Sequence, residues 1–112
     1  MGVTKTDLYT KKELELSRLA KAFSHPARIS ILQCLIKANR CINGDLVQEI
    51  GLSQATISQH LRELKEIGII QGTIEGASVS YCINPVKWNE TRQLFEDLFG
   101  LYLGPELKED CC

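Results

Sequence analysis

SQATISQHLRELKEIG, Ser53 to Gly68, is the stretch on which the reading of this chain turns. Ser53 is a helix N-cap by residue type, and Gly68 supplies a left-handed stop. Between them Ile57, Leu61, Leu64 and Ile67 draw one apolar stripe at helical spacing. Ala55, Gln59 and Arg62 lie roughly opposite that stripe, with Thr56 and Ser58 at its sides. The outward face is small, amide- or hydroxyl-bearing at its start and cationic further on. Such groups suit base edges and phosphates, whereas a face that only keeps a helix soluble more often alternates Glu and Lys. Read alone, the segment is equally an amphipathic core helix. The preceding residues tip the balance.

Leu46, Val47 and Ile50 have helical spacing, with Asn43 as a candidate cap and Gly51 as the end. A short helix, a tight turn over Gly51-Leu52-Ser53 and a longer helix make a helix-turn-helix. Further upstream, Lys11 to Phe23 forms a helix capped by Thr10, with Leu16, Leu19, Ala20 and Phe23 on one face. Ser24-His25-Pro26 is a boundary, because Pro is tolerated in the first turn of a helix. The helix that follows runs to about Ala38 and is expected to bury Ile29, Leu32, Leu35 and Ile36. Asn39 to Ile42 is a connection.

After Gly68 the apolar period changes to two. Ile70 and Ile74, then Val79, Tyr81 and Ile83, flank Glu75-Gly76-Ala77 and predict a β-hairpin, the wing of a winged helix. Cys82 is out of phase with its neighbours and is expected to point off their face. Asn84-Pro85 opens a last helix bearing Trp88, Leu94, Phe95, Leu98, Phe99, Leu101 and Tyr102. That apolar surface exceeds what so short a chain needs for its own core, which points to a partner subunit. Leu103-Gly104-Pro105 ends the helix. The expected organisation is an N-terminal arm (1–10), one folded domain (11–103) and a flexible tail (104–112).

The 112 residues suffice for one domain with one modest core. No apolar run is long enough for a membrane span and the start lacks a signal-peptide core, so the expected location is cytoplasmic, with no membrane partner. The net charge of −1 hides an asymmetry. Residues 1–85 hold 10 Lys/Arg against 8 Asp/Glu, a balance of +2, and residues 86–112 hold 3 against 6, a balance of −3. The acidic end can sit away from DNA while the remainder faces it, and a dimer doubles a modest phosphate contact. There is no phosphate loop, no G-x-S-x-G elbow and no H-E-x-x-H, so an enzyme is not expected.

The phrases LAKAFSHPARISIL (19–32), LSQATISQHLRELKEIGII (52–70) and GASVSYCIN (76–84) resemble the ArsR/SmtB family of bacterial winged-helix repressors. The resemblance spans about residues 12–103. It implies a mainly α fold with a small β-hairpin wing, and homodimers joined through the first and last helices. It also implies a double-stranded operator and an inducer that releases it. On that pattern Gln54, Ala55, Thr56, Ser58, Gln59, His60 and Arg62 lie on the DNA-reading helix, with Gly76 and Ser78 at the wing tip. Leu16, Leu19, Trp88, Leu94, Phe95, Leu98, Leu101 and Tyr102 fall on the dimerising helices. His60 is expected to brace the helix or a phosphate, and His25 to pack at a helix start. The family's metal sites mostly do not transfer. Cys41 stands one place off the first cysteine of the family's ELCVCDL, Gly44 replaces the second, and residues 86–103 hold no His.

Five cysteines remain: Cys34, Cys41, Cys82, Cys111 and Cys112. The odd count and the absent secretion signal favour reduced thiols over a disulfide framework. Cys34 reads as a small core residue. The adjacent Cys111-Cys112 pair with one further thiolate suits a soft three-coordinate ion. Cys82, Cys111 and Cys112 form the expected site, with Cys41 as substitute third ligand. The expected function is an operator-binding repressor with no required cofactor. Its release is by a thiol-reactive inducer, foremost trivalent arsenic as arsenite or methylarsenite. A repressor sensing thiol oxidation or persulfide is the alternative, as is a winged helix used only for protein contact.

Overall fold

The computed structural model describes residues 8–43, 50–74 and 79–105. The expected helix over 44–50 (Ile50 apart), the wing tip with Gly76 and Ser78, and the tail thiols Cys111 and Cys112 lie outside the described residues.

Helix α1 spans Lys11–Ala20. Thr10 closes its start with a reciprocal box: its hydroxyl accepts from Glu13 N at 3.1 Å, and its own N–H donates to Glu13 Oε1 at 2.8 Å. A single 3-10 turn, Lys21–Phe23, follows where a continuous helix was expected. Helix α2 spans Pro26–Ala38, with Pro in its first turn and His25 as cap, His25 Nδ1 accepting from Ala27 N at 3.0 Å. Asn39 stops α2 in the left-handed conformation, φ 51°. Helix α3 spans Gln54–Ile67, capped by Ser53 and ended by Gly68 at φ 99°. Helix α4 spans Pro85–Gly100, where Asn84 Oδ1 accepts from Lys87 N at 3.2 Å.

The strands are β1 (Ile42–Asn43), β2 (Ile70–Thr73) and β3 (Ser80–Ile83), in the order β1-β3-β2 with both pairings antiparallel. The expected hairpin is therefore a three-stranded sheet. Asn43, expected to cap a helix, pairs instead with Ser80, and Ile42 with Tyr81. Two residues are too short for alternation to register in sequence, and β1 exists because β3 offers it an unpaired edge.

One core joins these elements. Ile57, Leu61, Leu64 and Ile67 are all buried, as their spacing predicts, against Leu19, Ile31, Leu35, Ile70 and Tyr81. Each such side chain contributes roughly 1.5–3 kcal/mol relative to exposure. The buried face of α2 differs from expectation. Ala27, Ile31, Leu32 and Leu35 are inside, Ile29 is half-buried, and Ile36 is 49% exposed. The apolar run of α2 offers more than one stripe at helical spacing, and packing against α3 and β3 selects the one through Ile31 and Leu35. Leu19, placed on the dimerising face by resemblance, is fully buried within this chain. It serves the core.

Helices α1 and α4 lie against each other. Phe23 meets Trp88 and Phe95 edge-on at ring separations of 6.1 and 5.9 Å, a geometry that aligns ring edge with ring face. Glu15 Oε1 accepts from Arg18 at 2.8 Å and from Lys87 Nζ at 3.3 Å. Arg18 also donates to the Ile67 carbonyl at 3.0 Å, placing a cation at the C-terminal end of α3 where the helix dipole favours it.

Candidate nucleic-acid interface and cysteine pair

The start of α3 stands clear of the core because its apolar stripe fills the opposite side. Gln54, Ala55, Thr56, Gln59 and Arg62 are exposed, and Ser58 is half-buried. Their polar groups are ordered along the helix. Gln54 Nε2 donates to Ser58 Oγ at 2.9 Å, Gln59 Nε2 to Glu63 Oε1 at 3.1 Å, and Arg62 to Gln59 Oε1 at 2.9 Å. Amides already ordered this way lose little further side-chain entropy on meeting a base edge.

His60 does not share that face. It is half-buried and turned toward α2, where Arg28 Nε–H donates to its Nδ1 at 3.2 Å and the His25 ring lies 4.8 Å away. Burial, and then the charges of Arg28 and His25, lower its pKa from the usual 6.5, so the ring is held neutral with Nδ1 as acceptor. Arg28 continues to Glu63 as an ion pair and donates to the Lys21 carbonyl at 2.7 Å. One guanidinium thus clamps the start of α2, the 3-10 turn and α3. Sequence reading passed over Arg28 and Glu63: partners 35 positions apart leave no local periodic trace.

The second site lies at the other end of α2. Continuing the β1–β3 register beyond Ile42↔Tyr81 brings Cys41 opposite Cys82. The two form a disulfide with a Cα–Cα separation of 4.2 Å across a sequence separation of 41. The expectation of reduced thiols throughout is corrected at this pair. The register, invisible without β1, is what joins them. Cys82 also receives a long contact from Gln71 Nε2 at 3.8 Å. Cys34 is half-buried on α2, packs against the core and carries no disulfide. Among the described residues, no three His, Cys, Asp or Glu side chains gather to hold a metal.

A cavity of about 440 Å³ adjoins the pair. Leu35, Ile36, Ile83, Pro85 and Trp88 give it an apolar floor, and Asn39, Arg40, Gln71 and Asn89 stand around it with the two cysteines.

The remaining expected residues divide. Leu16 is half-buried on α1, and Trp88, Leu94 and Phe95 are half-buried on α4, with Trp88 and Leu94 packed on the core. Leu98, Phe99, Leu101 and Tyr102 are 45%, 68%, 81% and 76% exposed. No helix among the described residues is long and apolar enough to cross a membrane.

Comparison with known proteins agrees with this geometry. Residues 25–71, from the α2 cap to β2, match the model of the bacterial regulatory protein arsR family. The chain is 30% identical over 104 residues to the biofilm growth-associated repressor of Xylella fastidiosa (strain 9a5c), covering 93% of this chain and 87% of that one. The crystal structure of the transcriptional repressor BigR from Xylella fastidiosa superposes with a TM-score of 0.58 at 29% identity, covering 92% of this chain and all of that one. The cadmium metal-sensor CmtR of Mycobacterium tuberculosis does so with a TM-score of 0.52 at 30% identity, over 84% and 98% of the two chains. These relatives are transcriptional regulators and not enzymes. A helix-turn-helix core with a wing, matched across its length to repressors of this kind, makes the chain a member of the ArsR family of bacterial transcriptional regulators.

Proposed function

We propose that this repressor binds a two-fold operator as a homodimer and lets go when a thiol-directed inducer, foremost a trivalent arsenical, engages its cysteines. The DNA half of the reading rests on the exposed, hydrogen-bonded amide and hydroxyl face at the start of α3. The homodimer rests on the run of exposed apolar side chains from Leu98 to Leu103 on and beyond α4. The single observation that carries the inducer half is the contact of Cys41 with Cys82. Cys41 immediately precedes β1, which leads toward the helix-turn-helix, and Cys82 lies on the strand that returns from the wing. A change in how the two sulfurs are joined acts between the two DNA-contacting parts. Among the solved relatives is a protein described as a cadmium metal-sensor, another soft-ion detector.

The disulfide itself favours a second reading in which oxidation of the pair is the signal. A band-shift titration on the chain's own promoter separates the two. Release by arsenite or methylarsenite under reducing conditions supports the first. Release by peroxide or persulfide, reversed by dithiothreitol and with no response to arsenicals, supports the second. A flat dependence of log affinity on log salt removes the DNA role and leaves a protein-contact module.

A further inference from the structure

Resting on the operator half of that reading, we infer that His25 and His60 together seat one backbone phosphate of the bound duplex, each ring donating its Nε2–H to it. Hydrogen bonds fix where the ring protons lie. Nδ1 of His25 accepts from the Ala27 N–H at 3.0 Å, and Nδ1 of His60 accepts from Arg28 Nε–H at 3.2 Å. An imidazole that accepts at one nitrogen carries its proton on the other. Both rings are therefore Nε2–H donors, and their centroids lie 4.8 Å apart at an interplanar angle of 45°. His25 is exposed and His60 half-buried. Among the described residues no side-chain nitrogen or oxygen is both buried and unpartnered, so neither donor is sealed from water without an acceptor.

The pair stands beside the path a duplex takes past α3. Thr56 and His60 lie one turn apart on one flank of α3, between its buried stripe and its outward face. Thr56 is exposed, and its hydroxyl oxygen is 3.0 Å from that of the capping Ser53. A helix about 10–12 Å across fills a major groove about 12 Å wide, so its flanks meet the sugar–phosphate walls. A wall that passes the Ser53 and Thr56 hydroxyls next reaches His60, and then His25 from α2. The local charge suits it. His25 caps the N-terminal, electropositive end of α2, Arg28 stands behind His60, and the Glu63 carboxylate is taken up in its ion pair with Arg28. Each N–H can take one non-bridging oxygen of a single phosphodiester. Two donors that carry no charge add direction to the contact and leave its salt dependence alone, so they fix the register of α3 on the backbone.

Asn and Gln separate the two edges of each ring. Asn puts an acceptor where Nδ1 stood and nothing beyond it, whereas Gln puts an amide N–H near the place of Nε2 and gives up the inner acceptor. The experiment compares the full chain with His25→Asn, His60→Asn, His25→Gln and His60→Gln, by band shift and phosphate ethylation interference on the chain's own promoter. Either Asn variant is expected to bind on the order of tenfold more weakly, with the salt slope unchanged. Ethylation of one phosphate in each half-site should then cease to interfere. The Gln variants are expected to keep most of the affinity and that interference. Circular dichroism melts verify that each variant folds. A purely structural role for the rings gives the reverse order, Asn harmless and Gln damaging, and that result overturns the inference. An interference pattern that the Asn variants leave unchanged overturns it too. Inorganic phosphate that displaces the duplex better than chloride of equal ionic strength assigns the pair to a free anion and overturns the duplex contact. If the unaltered chain binds no duplex, the operator reading falls and this site with it, an outcome seen before any substitution is made.

Discussion

Arg28 Nε donates to His60 Nδ1 across 3.2 Å, joining the first turn of α2 to the middle of α3. The same guanidinium is largely buried, pairs with Glu63 and holds the Lys21 carbonyl. Removing it leaves a carboxylate, a ring nitrogen and a carbonyl without their shared donor. Arg28→Ala is expected to cost about 2 kcal/mol of stability, read as a lower urea midpoint with an unchanged slope. Operator affinity should fall as well, because α3 loses its brace.

The neutral state of His60 sets a pH dependence. Its folded pKa lies below the unfolded value of 6.5, so the unfolded chain binds the extra proton first. The associated stability is complete above that value and is lost as pH falls through it toward the folded pKa. Glu15 is likewise lowered from 4.5, first by its hydrogen bond from Arg18, so its contribution disappears only in a separate, more acidic window. Thermal melts are expected to show a decline beginning below about pH 6.5. His60→Gln should flatten that decline and leave the acidic one in place.

Gly72 in β2 has φ 119°, and a Cβ built there meets the Ser80 carbonyl oxygen at 2.1 Å and Tyr81 Cα at 2.8 Å. Both are backbone atoms of the paired strand and cannot step aside. Gly72→Ala is expected to destabilise the chain by about 2 kcal/mol or more, combining the left-handed backbone with the clash. Gly51→Ala, with φ 85° but open space around it, should cost less. Denaturant unfolding of the two variants side by side makes the comparison.

On the exposed face of α3, Gln59 and Arg62 are expected to act differently on DNA. Gln59→Ala should lose roughly 1–3 kcal/mol of discrimination at one base pair of each half-site. Arg62→Ala should weaken binding similarly on all sequences and reduce the salt slope by about 1 per subunit. Quantitative band shifts at several salt concentrations check both.

Leu98→Glu together with Phe99→Glu places charge on the exposed apolar end of α4. Sedimentation equilibrium should then report single chains, against the dimers expected of the unaltered protein. Operator affinity should drop steeply, since each half-site would be bound alone. The fold itself should persist, because neither side chain belongs to the buried core.

Local chemistry sufficed for much of this molecule. Thr10, Ser53 and Asn84 cap helices because their side-chain oxygens accept from nearby backbone N–H groups, a contact confined to three residues. The stripe Ile57-Leu61-Leu64-Ile67 is buried because helical spacing puts all four on one side, and the exposed polar face of α3 follows as its complement. The switch from helical to alternating period after Gly68 marked β2 and β3 in the same way. All of these depend on residues a few positions apart, so the amino-acid order alone determines them.

Tertiary structure decided the rest. Which stripe of α2 is buried depends on what packs against it, and two residues become β1 only because β3 presents a free edge. That pairing, in turn, is what sets Cys41 opposite Cys82 and opens a cavity beside them. Likewise His60, on the reading helix by sequence, turns inward because Arg28 arrives from another helix to hold it. Contacts between residues thirty or forty positions apart arise from closing the chain around one core, and no periodicity within a single segment encodes them.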